Sequence, residues 1–218
     1  MNKVEIMKCS TPYNYDENYL AIDGKSIVMF LNEWVKAGKC KRLEKFNNLL
    51  GLYPAWGKEL VWESDKHFIY ELLVAKDTLN VPILVCEDDL DFSCIVILAR
   101  IRKEHNYVYW DKIGLLNHDS EDFIIEKKSG ILFTEAYNDD DWKNYGDNIA
   151  LAKVDSKEWC DWISKNWYDE LLRRRRNYTK PYMQNDKNII WIENVNWSFD
   201  EKDYRVCMDW YANYDLIK

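Results

Sequence analysis

Apolar positions along the chain alternate between two spacings, a period of two and a period near 3.6, and these divide it into strand-like and helix-like blocks. The most strand-like block is Val81 to Leu116, VPILVCEDDLDFSCIVILARIRKEHNYVYWDKIGLL, and the rest of the chain is expected to fold around it. Val81–Cys86 is a short apolar run with Pro82 near its start, where a missing N–H costs least. Cys94–Arg102 follows, rich in β-branched residues. Its first half is apolar on both faces. Its second half alternates, with Ile97, Ala99 and Ile101 on one face and Leu98, Arg100 and Arg102 on the other. That pattern predicts a central strand covered on both faces at one end. Lys103–Asn106 reads as a four-residue turn, and Tyr107–Trp110 as the returning strand. In that register Ile101 faces Val108, Ala99 faces Trp110, Arg102 meets Tyr107 and Arg100 meets Tyr109.

Helical spacing appears elsewhere. Ile27, Phe30, Leu31 and Trp34 fall at i, i+3, i+4 and i+7, with Ser26 to cap the helix and Gly38 to stop it. Leu43, Phe46, Leu49 and Leu50 predict a second helix closed by Gly51. Residues 66–77 fit either a helix or a strand. Phe68, Ile69, Leu72 and Leu73 favour the helix, with Ser64 or Asp65 as cap. The clearest helix carries the stripe Trp159, Trp162, Ile163, Trp167 and Leu171. Asp155 and Glu158 stand at capping-box spacing before it. It is expected to end in Arg173–Arg176, ahead of Asn177 and Pro181. Tyr19–Ile22 reads as a short strand entering the turn Asp23-Gly24. Near the C-terminus, Ile189 and Trp191 share a face, and Tyr204, Val206, Met208 and Trp210 alternate with polar residues. This predicts a hairpin, with residues 211–218 as a loose tail.

The expected architecture is α+β, one domain over residues 1–218. A central, mainly antiparallel sheet would hold strands near 81–86, 94–102, 107–113, 148–154, 188–197 and 203–211. Helices at 26–37, 41–50 and 156–176 would pack on it.

Composition changes this picture in one respect. Aromatic residues make up 15% of the chain, including eleven Trp and fifteen Tyr. Rings in such number build either a heavy core or an aromatic binding face. Trp56, in the loop Leu52–Gly57, reads mainly as a plug between helix and sheet. Its alternative is a pocket mouth shared with Tyr109 and Trp110.

Charge narrows the partners. The formal net charge is −8, which disfavours nucleic acid and favours a basic protein partner. The run Arg173–Arg176 is the exception, since four cations beside Trp and Tyr suit a phosphate. The plainer reading places cations at the negative end of a helix, paired with nearby carboxylates. No N-terminal apolar region reads as a secretion signal, and no stretch approaches the roughly 20 apolar residues of a membrane span. The six Cys contain no C-x-x-C pair and are expected to be reduced thiols. A cytoplasmic, bacterial setting is therefore expected.

No catalytic set stands out. The three His are scattered, no His/Cys set has zinc spacing, and neither a glycine-rich phosphate loop nor a G-x-S-x-G elbow occurs. Neither a cofactor nor a metal is expected. Two acidic runs remain. Glu87, Asp88, Asp89 and Asp91 form the first, in a solvated turn. Asp139, Asp140 and Asp141 form the second. The latter is no calcium loop, because Lys143 and Ile149 stand where Gly and Glu are required. Asp139 reads instead as a helix cap. Both runs suit contact with Lys or Arg.

The expectation is thus a non-catalytic acidic binding protein. Its profile matches an immunity protein that neutralises a toxin domain. One alternative is a small-molecule binder or enzyme with Trp56, Tyr109 and Trp110 lining an acidic pocket. Another is a structural domain that self-associates, for example as a homodimer.

Overall fold

The computed structural model describes residues 1–11, 16–45, 49, 51–56, 60–118 and 156–213. Two antiparallel sheets organise them. The larger contains β4 (Tyr53–Pro54), β5 (Leu79–Val85), β6 (Val96–Glu104), β7 (Tyr107–Leu116) and β8 (Ile189–Asp200), side by side in chain order. The smaller contains β1 (Val4–Ser10), β2 (Asp16–Ile22) and β3 (Lys25–Ser26). The fold is α+β, as the alternating blocks predict.

Three local predictions hold in outline. Asp23 (φ 52°) and Gly24 (φ 80°) are both left-handed and form the tight turn from β2 to β3, the geometry a two-residue hairpin favours. Helix α1 (Ile27–Lys36) starts after Ser26 and stops at Gly38, whose φ of 76° a side chain would resist. Helix α2 (Glu63–Val74) covers most of the ambiguous stretch and buries Phe68, Ile69, Leu72 and Leu73, but it starts after Trp62, so Ser64 and Asp65 lie inside its first turn and do not cap it.

The central hairpin forms with a tighter turn than expected. Only His105 and Asn106 bridge β6 and β7, with His105 at φ 55°. Ile101 therefore pairs with Trp110, Arg102 with Tyr109 and Lys103 with Val108. A bulge at Asp111 then places Arg100 opposite Lys112. The shift is two residues on the turn side of the bulge and three beyond it, where the extra residue Asp111 restores the alternation, so the error concerns partners and not sides. The Arg102 guanidinium lies 3.8 Å from the Tyr109 ring centre, and Arg100 lies 4.9 Å from Trp191.

Other expectations need correction. Val4–Ser10, not predicted as an element, is β1. Residues 41–45 form turns and not a helix. Buried Cys40 and Leu43 are joined by one i→i+3 bond, Leu43 N–H to the Cys40 carbonyl at 3.1 Å. The expected cap of the next helix, Asp155, lies outside the described residues. Helix α3 (Lys157–Arg174) is capped by Ser156, whose Oγ accepts from the Trp159 N–H at 3.1 Å. Its path does not end at the arginines. It widens into a π-helical turn (Arg175–Thr179) and continues as α4 (Lys180–Gln184). Pro181 lies in the first turn of α4, where its missing N–H is tolerated, and a π turn is a common irregularity inside helices.

The largest correction is the C-terminus. Residues 203–211 are not a strand but part of helix α5 (Glu201–Asn213). Tyr204, Cys207 and Met208 are buried at i, i+3 and i+4, while Val206 is 68% exposed. The strand predicted at 148–154 lies outside the described residues.

The core is built around rings. Trp110 is fully buried and meets Trp56, Phe199 and Tyr204 edge-on at 5.9, 5.9 and 6.4 Å. Its Nε1 donates to the Tyr204 hydroxyl at 3.2 Å. Phe30 and Trp34 of α1 close over Trp197 of β8 at 5.0 and 6.1 Å. Asn2 joins the start of the small sheet to β8 through Ser198, at 2.7 and 3.1 Å.

Candidate functional site

The link between β5 and β6 presents the first acidic run. Cys86 N–H donates to the Ile95 carbonyl at 2.9 Å, so the two strands stay paired one residue beyond their ends. The chain then turns sharply. Leu90 is left-handed (φ 49°), its N–H donates to the Cys86 carbonyl at 3.0 Å, and its carbonyl accepts from Val61 at 3.1 Å. Asp91 Oδ1 accepts from the Ser93 N–H at 2.8 Å and from its hydroxyl at 2.6 Å, an Asx turn. Phe92 anchors the loop from below. It is buried against Phe68 at 6.0 Å, with the Arg175 guanidinium 4.9 Å from its ring centre. On this pinned loop Asp88 and Asp89 are exposed, and Glu87 and Asp91 half-buried. Among the described residues, Glu87, Asp88 and Asp89 make no ion pair.

Two cysteines flank the turn. Cys86 Sγ, Cys94 Sγ and an Asp89 carboxylate oxygen all lie within 4.8 Å of one another. Burial, with Cys86 and Asp89 close by, pushes the Cys94 thiol up to about 12. All six cysteines are free.

A buried ion pair supports the loop from the inside. Asp65 of α2 is fully buried, and Arg175 grips both its oxygens, Nε to Oδ1 at 2.8 Å and Nη2 to Oδ2 at 3.2 Å. Burial still holds the Asp65 carboxyl above the usual carboxylate range, against the pull of Arg175 and with a small push from Asp91. The other arginines of the run also meet carboxylates. Arg173 and Arg174 bond to Glu170 at 2.8 and 2.7 Å, and Arg176 Nε bonds to Glu71 at 3.0 Å. The run is thus engaged by the protein's own acids, which favours the plainer reading over a phosphate site.

The proposed pocket residues do not meet around a cavity. Trp56 and Trp110 touch each other, but inside the core, and Trp56 Nε1 donates to the Pro82 carbonyl at 2.6 Å. Tyr109 lies on the outer face beneath Arg102. An open cleft of about 240 Å³ lies elsewhere, between α2, the central hairpin and α5. Tyr70, Val74, Lys103, Glu201, Arg205 and Asp209 line it. The Lys103 ammonium bonds to the Leu73 carbonyl, and burial holds it below its usual range. Asp139, Asp140 and Asp141 lie outside the described residues. Among the described residues no helix is long and apolar enough to cross a membrane.

The acids of the turn are legible in the sequence, but the approach of Cys86, Asp89 and Cys94 to one another is not. The available signal was C-x₂-D-x₄-C, two thiols bracketing a carboxylate. That spacing carries meaning only once the turn geometry is known. Fold and site together define an α+β protein with a pinned, exposed acidic turn. No family model matches the chain, and neither a curated protein nor a solved structure matches it.

Proposed function

We propose that this chain is a non-catalytic binding protein that meets a basic protein partner through the turn 87–91. The observation that carries this reading is the presentation of Glu87, Asp88 and Asp89, without ion pairs among the described residues, on a loop pinned by Leu90, Asp91 and Phe92. A loop already held in place loses little freedom when it binds, so more of the contact energy becomes affinity. Its carboxylates, on a chain of net charge −8, also steer a cationic partner toward it. In its specific form the reading is an immunity-type role, with a basic toxin domain as the partner.

The test is capture of partners from native lysate by tagged wild type and by Glu87→Gln/Asp88→Asn. A single basic protein held by the wild type, released by salt and lost by the variant supports the proposal. Equal retention by both chains would overturn it.

The lined cleft favours a second reading, an anionic small molecule held near Lys103 and Arg205. A thermal-shift screen of small anions with wild type and Lys103→Met would detect it. A shift seen with the wild type alone supports this alternative.

A further inference from the structure

We infer that Cys86, Asp89 and Cys94 form a binding site for a thiophilic divalent cation of the zinc type. The three ligand atoms converge from two strand ends and the turn between them, all within 4.8 Å of one another. Tetrahedral zinc, with bonds of about 2.3 Å to sulfur and about 2.0–2.2 Å to oxygen, sets its ligands roughly 3.5–4 Å apart. A cation at their centre therefore needs only a slight contraction of the side chains.

The backbone that carries them is already fixed by the Cys86–Ile95 and Leu90–Cys86 hydrogen bonds and by the Asp91–Ser93 turn. Two sulfur ligands select zinc-like ions over calcium and magnesium, which take oxygen. Neighbouring Glu87 and Asp88 add negative potential that attracts a cation. Three protein ligands leave one position for solvent, on the exposed side where Asp89 lies. On binding, each thiol gives its proton to water as its metal–sulfur bond forms, with no change of oxidation state. This inference does not rest on the partner reading. It concerns the thiols and Asp89, whereas that reading is tested at Glu87 and Asp88.

The experiment is titration of reduced, full-length protein with cadmium and with zinc. Cadmium should produce a sulfur-to-metal charge-transfer band in the near ultraviolet that saturates at a single equivalent, and zinc should suppress it by competition. Zinc should also raise Tm, since a ligand of the folded state stabilises it, and a chelator should reverse the rise. Cys86→Ser and Cys94→Ser should each abolish the band. Asp89→Asn, at an exposed position, should fold normally and bind more weakly. Cys9→Ser/Cys160→Ser should bind as the wild type does. Absence of both the band and the Tm rise in wild type would overturn the inference without reference to any variant. Persistence of the band in Cys86→Ser/Cys94→Ser would overturn it as well.

Discussion

Asp65 and Arg175 are 110 residues apart in sequence, and their bidentate contact ties α2 to the π-helical turn beneath the acidic loop. Removing either partner has different consequences because the two groups differ in how they lose charge. Arginine cannot shed its proton at ordinary pH. Asp65→Ala would leave a buried guanidinium without its carboxylate, and unfolding by urea should show a loss of about 3–5 kcal/mol. In Arg175→Met the orphaned carboxyl can protonate, so the loss should be smaller.

The pH dependence follows from the raised Asp65 value. The folded state holds that proton to higher pH than the unfolded state does. Stability therefore falls as pH rises from the ordinary carboxylate range through the raised value. Without Arg175 the value rises further. Arg175→Met should thus be closest to wild type near pH 4 and furthest from it near neutrality, whereas the Asp65→Ala deficit should not shrink in acid. An Arg175→Met deficit that grows in acid would contradict this account. The sequence made the pairing of Arg173–Arg176 with carboxylates legible, through the helix end and the excess of acids. It could not say which acids, because those contacts close between distant elements.

At the level of elements, the sheet was easier to read than the C-terminal helix. The link between β6 and β7 is short, so the hairpin followed from alternation, while its register depended on the two-residue turn and the bulge at Asp111. For residues 203–211 two patterns coexist. Tyr204, Val206, Met208 and Trp210 alternate, while Tyr204, Cys207 and Met208 have helical spacing. The deciding feature is Asp200, whose Oδ1 accepts from the N–H groups of Lys202 at 2.9 Å and Asp203 at 3.4 Å. Glu201 and Asp203 add negative charge to the first turn, where the helix dipole favours it. Asp200→Ala should lower the urea midpoint, with a loss of about 1 kcal/mol. No change would mean that packing alone sets the helix.

The pairing of β7 with β8 rests on a close approach. A Cβ at Gly114 would stand 2.5 Å from Ile189 Cγ2, 2.9 Å from Trp191 Cε3 and 3.2 Å from the Ile190 carbonyl. The backbone oxygen cannot swing aside as a side chain can. Gly114→Ala should therefore cost about 1–3 kcal/mol, read as a fall in the thermal midpoint. An unchanged midpoint would show that β8 can shift to make room.

Across the whole molecule, the chain-order meander from β4 to β8 leaves the β5–β6 link at one edge of the packed core, where its carboxylates meet solvent. The charge and exposure of that link were legible from its composition. The way it is held was not, because Val61 bonds to Leu90 while Phe68 of α2 and Arg175 of the π-helical turn pack on Phe92. The aromatic richness proved mainly a core property at Trp56 and Trp110, which explains why they build no pocket.

The central proposal is that a basic partner meets this pinned acidic turn. Hydrogen–deuterium exchange of the chain, alone and with its captured basic partner, tests it most directly. Slowed exchange centred on residues 87–95, absent with Glu87→Gln/Asp88→Asn, is the predicted result. Protection confined to residues 70–76 and 201–209, around the Lys103 cleft, would contradict it.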